Sequence, residues 1–290
     1  ALGKTRQQAQ FVKCKSNLRQ LATAFTSYAT ANDGVYNSGA FDNRRDRGNG
    51  CIERVGWIAD FVNGEYAVPG DLLCPTHPAR FSQNMALSRL NEDPFCEISA
   101  EEQEELLRRG FNTNYCQTWY SAHTQMKDFN SGGDPKDPEF TMGPLRVQWM
   151  KNVSPSRIPL LGDARADGED AATIMGVPER TAKALTDGPF GLNPEWIRRQ
   201  SYADLGPAHL SSGGLFNADR HDKTTGNIAF ADGHVNAFKD TNRDAFFGPD
   251  PSRDAPVQTD FGPRIPYLEI EGKVFGGLLL SGKTLAPSYD

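Results

Sequence analysis

At 290 residues the chain is long enough for one large domain or two small ones. Hydrophobic residues make up 38% and charged residues 23%, so a core can form, and 28 glycines and 19 prolines predict a turn-rich body around it. A net charge of −6 argues against nucleic-acid binding, and there is no apolar run of about 18 residues to form a membrane span.

Residues 3–32 read as one helix. Phe11, Cys14, Leu18, Leu21, Phe25 and Tyr28 recur at steps of three and four, the spacing of a single helical face. Lys4, Arg6, Lys13, Lys15 and Arg19 mostly fall elsewhere, and no acid appears before residue 33. A basic helix on an acidic body suits either an anionic membrane surface or plain solvation. Asn32–Gly34 stops the helix, with Gly34 fitted to the left-handed position after its end. A long helix with one apolar face must lie on something, most simply a sheet. The chain starts "ALGKTRQQ", without Met and with no signal peptide, so it is expected to be cut from something longer.

Beyond a charged loop, Gly56–Val62 is a short helix or strand, and Asp71–Pro78 is a short apolar run stopped by two prolines. Ser99–Gly110 is a helix: Ser99 and Glu102 form a capping box, Arg108 and Arg109 close the last turn, and Gly110 ends it. Asn112–Ala122 has the aromatics and threonine of a strand, and Ser156–Ala164 reads as a buried strand ending at an acid. One short helix is expected around Pro194–Gln200, and two short strands at residues 266–272 and 273–280.

The stretch "RHDKTTGNIAFADGHVNAF", Arg220–Phe238, is a hairpin on turn chemistry, with Asp232-Gly233 as a two-residue turn. That turn sets Phe230 opposite Val235 and Ile228 opposite Ala237. A transition-metal site here would draw on His221, His234 and one of Asp219, Asp222 or Asp232, with His209 a further candidate. The plainer reading is that His221 and Asp232 fix the loop by hydrogen bonds. Neither GxSxG nor HExxH occurs, so a hydrolase using His209, His221 or His234 would need partners from distant positions. None of the five cysteines, Cys14, Cys51, Cys74, Cys96 and Cys116, lies in a CxxC, and their spacing gives a structural zinc site little support. They allow two disulfides and one free thiol in an oxidising compartment, or five small buried hydrophobes in a reducing one.

Together these pieces resemble a known family. The opening "ALGKTRQQAQFVKCKSNLRQLATAFTSYATANDGVY" is similar to the segment that follows the membrane-spanning half of the N-terminal helix in prepilin-type proteins of planctomycete and verrucomicrobial bacteria, relatives of the type II secretion pseudopilins. "LLCPTHP" looks like that family's Cys-Pro segment and "IPLLGDA" like its strand ending in Asp. His221 to Asp232-Gly233 looks like its C-terminal His-x(9)-Asp-Gly motif, with ten intervening residues instead of nine. Residues 80–155 and 176–215 match no part of it.

The resemblance implies an α+β, pilin-like fold: a long helix packed on an antiparallel sheet, with large loop-rich insertions. Residues 1–34 would be the lower part of a helical spine and 35–290 one globular domain, ending in a tail over 241–290. It implies a non-enzymatic filament subunit of a type II secretion or type IV pilus-like system. Such a protein is extracytoplasmic and anchored in the inner membrane, through a segment missing here, before it assembles with other pilin-like subunits. His221, Asp232, Gly233 and His234 would then be structural. Cys14 with Cys74, and Cys96 with Cys116, would be the disulfides. Some pseudopilins bind calcium in a C-terminal loop; here Asp240, Asn242 and Asp244 have the i, i+2, i+4 spacing that lets oxygens converge on a hard cation. Asp163, Asp167 and Asp170 make a poorer set, and the alternative for both is a solvated acidic loop. The competing function is a binding module on the same scaffold, recognising a glycan or secreted substrate with Trp57, Trp119, Trp149 and Trp196.

Overall fold

The computed structural model describes residues 2–128, 132–151, 153–165, 171–186, 188, 202, 204–211, 223–241, 243, 245, 247, 257–259, 262–264, 269–270 and 272–275. Helix α1, Leu2–Ala31, is the expected long helix, about 45 Å at 1.5 Å per residue. Its end is set by Asp33 and Gly34, both at positive φ, and the Gly34 amide closes on the Ala29 carbonyl at 2.9 Å. Cys14, Leu18, Leu21, Ala22, Phe25 and Ala29 are buried, so the apolar face read from the sequence is the packed face. The burial is uneven along the axis: no side chain from Gly3 to Lys13 is buried, and Val12 is 62% exposed.

Among the described residues four short α-helices follow: α2 (Trp57–Asn63), α3 (Leu87–Leu90), α4 (Ala100–Arg108) and α5 (Trp119–His123); the helix expected around Pro194–Gln200 lies outside them. In α4 the expected capping box is present, with Ser99 Oγ accepting from the Glu102 amide and Glu102 Oε2 accepting from the Ser99 amide. Strands β1 (Phe81–Ser82), β2 (Tyr115–Gln117), β3 (Pro159–Asp163), β4 (Ala171–Ile174) and β5 (Val177–Ala182) precede β6 (His209–Ser211), β7 (Lys223–Phe230) and β8 (Val235–Lys239). A further pair, β9 (Val257–Thr259) and β10 (Gly262–Arg264), forms a two-stranded ribbon. The segment expected as one strand over Asn112–Ala122 divides into β2 and α5. Thr118 caps α5, its hydroxyl accepting from the Ser121 amide, so local capping ends the strand early.

The main sheet runs β2-β3-β7-β6, all antiparallel, with β8 on the other edge of β7. Helix α1 lies across β7, β6 and β3. Its last turns pack on α2, where Phe25 stacks on Trp57 and meets Phe61 edge-on. A second sheet, β1-β5-β4, joins β1 to β5 in parallel. The fold is therefore mixed α and β, with a long N-terminal helix against an antiparallel sheet.

One detail of the sheet positions the functional site. Strands β3 and β6 both pair with the same edge of β7, end to end: β3 takes residues 228–230 and β6 takes residues 223–225. The edge changes partner at Gly226 and Asn227. The lead-in to β6 lies directly over this break, where a Cβ on Gly226 would stand 2.4 Å from the Gly206 carbonyl oxygen. Glycine is what lets the two strands meet there.

The hairpin β7–β8 differs from the expected one by one residue. Ala229 pairs with Val235 and Ile228 with Asn236, and the Phe230 amide donates to the His234 carbonyl at 3.0 Å. The loop is thus three residues, Ala231–Gly233, with Gly233 at φ 86°. Ala231 leaves the ladder because its amide and carbonyl bond elsewhere, to the Ile158 carbonyl and the Tyr36 hydroxyl. Asp-Gly serves a three-residue loop with glycine in the left-handed position as well as a two-residue turn.

Candidate functional site

Where β3 and β6 abut, four side chains from four separate parts of the chain converge. Cys14 comes from α1, Cys74 from the loop after the Pro69–Leu72 turn, Asp163 from the end of β3 and His209 from the start of β6. Each offers one ligand atom, and these atoms all lie within 4.8 Å of one another. All four residues are buried, none more than 3% exposed.

Local structure holds each one. Asn17, one turn after Cys14 on α1, donates to the carbonyls of Leu72 and Leu73 at 2.9 and 3.0 Å and ties the Cys74 loop to the helix. Asn114 brackets Cys74, accepting from its amide at 2.8 Å and donating to its carbonyl at 3.1 Å. Asp163 Oδ1 accepts from Cys14 Sγ at 3.1 Å, while Oδ2 accepts from His209 Nε2 at 2.9 Å and from the Asn227 amide at 2.7 Å. Cys74 Sγ stands 3.6 Å from His209 Nε2. The other imidazole nitrogen, Nδ1, meets Thr76 Oγ1, and Phe11 meets the ring edge-on.

The charges follow from this packing. Burial pushes the Asp163 carboxyl up, but the His209 charge and its hydrogen bond outweigh that and hold it below the ordinary range. Burial pulls His209 down, yet the Asp163 charge raises it to about 10. Burial raises the Cys74 thiol, and the hydrogen bond from Cys14 together with His209 brings it down to about 5. Cys14 is driven well above its ordinary value by burial first and then by Cys74 and Asp163. The site thus gathers two sulfurs, a carboxyl and an imidazole out of water, with Asp163 and His209 each drawing the other toward its charged form. Burying such charges costs several kcal/mol per ion unless they are well paired.

The cluster has the residue types of a Cys-His-Asp triad but a different arrangement. A triad sets the nucleophile on one imidazole nitrogen and the acid on the other. Here Cys74 and Asp163 both face Nε2, and Nδ1 is taken by Thr76. What the set can do is bind: two sulfurs, a carboxylate oxygen and an imidazole nitrogen are transition-metal donors.

The residues expected from sequence fall out as follows. Asp232 Oδ1 accepts from the His234 amide at 3.1 Å and faces His234 Nδ1 at 2.5 Å, and the His234 ring stacks on Phe230 at 4.4 Å. His221 lies outside the described residues, as do Asn242, Asp244, Asp167, Asp170 and Trp196. Asp240 is buried, and its oxygens accept from the amides of Arg243 and Ala245 at 2.7 and 3.0 Å, capping its own turn. Asp163 joins the buried cluster. Trp57 and Trp119 are core residues, 0% and 1% exposed, and so are not a sugar platform.

The expected disulfides are corrected. Cys96 bonds Cys51, not Cys116: Asn43 Nδ2 donates to the Leu90 and Cys96 carbonyls while its Oδ1 accepts from the Ile52 amide, which holds the Cys51 loop against the Cys96 segment. Cys14, Cys74 and Cys116 are free and buried. Cys14 and Cys74, expected to be joined by a disulfide, are instead free thiols; the sequence groups Asp163 with Asp167 and Asp170, and His209 with His221 and His234, and no reading of it brings the four together.

Compared with known proteins, the chain matches no protein-family model, no curated protein and no solved structure.

Proposed function

We propose that the chain is a non-enzymatic, extracytoplasmic subunit of a pilin-like filament, a pseudopilin-like domain whose N-terminal helix serves as the assembly spine. The observation that carries this reading is the asymmetry of α1. Its second half, Cys14–Ala29, is packed into the body, while no side chain from Gly3 to Lys13 is buried. Beyond the contact of Phe11 with the His209 ring, a helix that only served its own core would gain little from those turns: isolated helical segments of this length are marginal in water, so tertiary or intermolecular packing has to stabilise them. The exposed turns carry Lys4, Arg6 and Lys13 with Val12 between them, a surface suited to a neighbouring subunit or an anionic leaflet. The spine packs on an antiparallel sheet, as the resemblance requires, and the Asp232–His234 contacts are those of a hairpin clamp.

The test is mass spectrometry of the protein isolated from its source cells. The reading expects a methylated N-terminal residue opening a hydrophobic segment that runs into "ALGKTRQQ". A mature protein that begins at or near Ala1 would remove the filament reading.

A further inference from the structure

We infer that Cys14, Cys74, Asp163 and His209 form a structural zinc site that fastens the helical spine to the sheet. This does not depend on the filament reading; it stands on the donors and their geometry. Zinc prefers four ligands in a tetrahedron, drawn from Cys, His and Asp. Bond lengths of about 2.3 Å to sulfur and about 2.0–2.2 Å to nitrogen or oxygen give donor–donor edges of roughly 3.3–3.8 Å. The observed separations bracket that range: 3.6 Å for Cys74 Sγ to His209 Nε2, 3.1 Å for Cys14 Sγ to Asp163 Oδ1, 2.9 Å for His209 Nε2 to Asp163 Oδ2, and no pair beyond 4.8 Å. Around a central ion the pairs at 2.9 and 3.1 Å would open by a few tenths of an ångström, and a pair near the 4.8 Å limit would close by about 1 Å.

The surroundings match what metal ligands require. A ligating histidine engages its second nitrogen with a neighbour that fixes the ring. Here Thr76 occupies Nδ1 and leaves Nε2 directed at the cluster. The Asn227 amide does the same for Asp163, holding Oδ2, while Oδ1 faces Cys14. The Asn114 bonds preset the backbone of Cys74. All four ligands are buried, so the set is closed, and a closed four-ligand set is the structural kind rather than the catalytic kind.

A Cys14–Cys74 disulfide is the competing chemistry. It would leave a buried carboxylate and imidazole beside the sulfurs with no part in the bond. Zinc uses all four: two thiolates, one carboxylate and a neutral imidazole carry −3, which the ion reduces to −1 in a place where charge is costly. The ligands come from α1, a loop, β3 and β6, so binding would tie segments 60, 149 and 195 residues apart from Cys14, and its free energy would count as folding free energy.

The test uses the whole chain, purified without chelator. Elemental analysis by mass spectrometry should find one zinc per chain. Cobalt(II) exchanged into the wild-type protein should show thiolate-to-metal charge transfer and the intense visible bands of tetrahedral coordination. Cys74→Ser and Asp163→Asn should lose the metal, and Cys116→Ser, at a buried thiol outside the cluster, should keep it. If the cluster variants do not fold, the cobalt spectrum of the wild type decides alone. Zinc far below one per chain, a Cys14–Cys74 disulfide in the peptide map, a cobalt spectrum without thiolate bands, or zinc retained in both cluster variants would each overturn the inference.

Discussion

Replacing Phe25 with alanine tests the packing of α1. Phe25 is fully buried on α1, stacked on Trp57 at 5.7 Å between ring centres and edge-on to Phe61 at 4.7 Å. A buried Phe→Ala substitution costs about 3–5 kcal/mol through lost transfer energy and the cavity left behind. Each aromatic pair adds about 0.5–1.5 kcal/mol beyond its area, which puts Phe25 at the upper end of that range. Val12→Ala, on the same helix but 62% exposed, should stay within about 0.5 kcal/mol. Equilibrium urea unfolding followed by tryptophan fluorescence suits the comparison, because Trp57 reports on the same contact. With a slope of about 3 kcal/mol per molar urea, the midpoint of Phe25→Ala should fall by more than roughly 1 M. Equal, small effects at both positions would refute the claim that the buried face of α1 lies in its second half, from Cys14 on.

Three further outcomes follow from particular side chains. His123 is buried, its Nδ1 3.3 Å from Thr141 Oγ1, and burial lowers its imidazole to about 3. That lies below its ordinary value of 6.5, so the unfolded chain takes up a proton that the folded chain refuses, and stability falls as pH drops below about 6.5. At pH 5 the loss from this group is about 2 kcal/mol, and the pH–stability curve of His123→Gln should be flatter by that amount between pH 7 and 5. The Cys51–Cys96 disulfide closes a separation of 45 residues, worth about 4 kcal/mol in a chain-entropy account, so the Cys51→Ala/Cys96→Ala double variant should unfold at markedly lower denaturant. Ser99→Ala removes one half of the α4 capping box and should cost about 1 kcal/mol in the same assay.

How much of this was legible depends on how local the cause is. Helix α1 could be read because six apolar positions repeat at one helical period, and α4 because its cap and its stop lie within twelve residues. Strand β3 could be read from a short apolar run with an acid at its end. The hairpin was legible as a hairpin but not in register. Asp-Gly fits two loop lengths, and the choice is made by contacts from Ile158 and Tyr36, far away in sequence. The buried cluster could not be assembled from sequence at all. Its members have no ligand spacing; they meet because β3 and β6 share one edge of β7 and because α1 crosses at that point. A usable signal was still present. Cys14 sits on the packed face of the helix, Asp163 ends a strand otherwise wholly apolar, and neither position suits a side chain that merely meets solvent.

The most direct measurement on the cluster is X-ray absorption at the zinc edge on the purified chain. Two sulfur scatterers at about 2.3 Å and two nitrogen or oxygen scatterers at about 2.0–2.1 Å would give the ligand set of Cys14, Cys74, His209 and Asp163 directly. A shell of nitrogen and oxygen alone would place the metal elsewhere on the molecule and contradict the account of how the spine is fastened to the sheet.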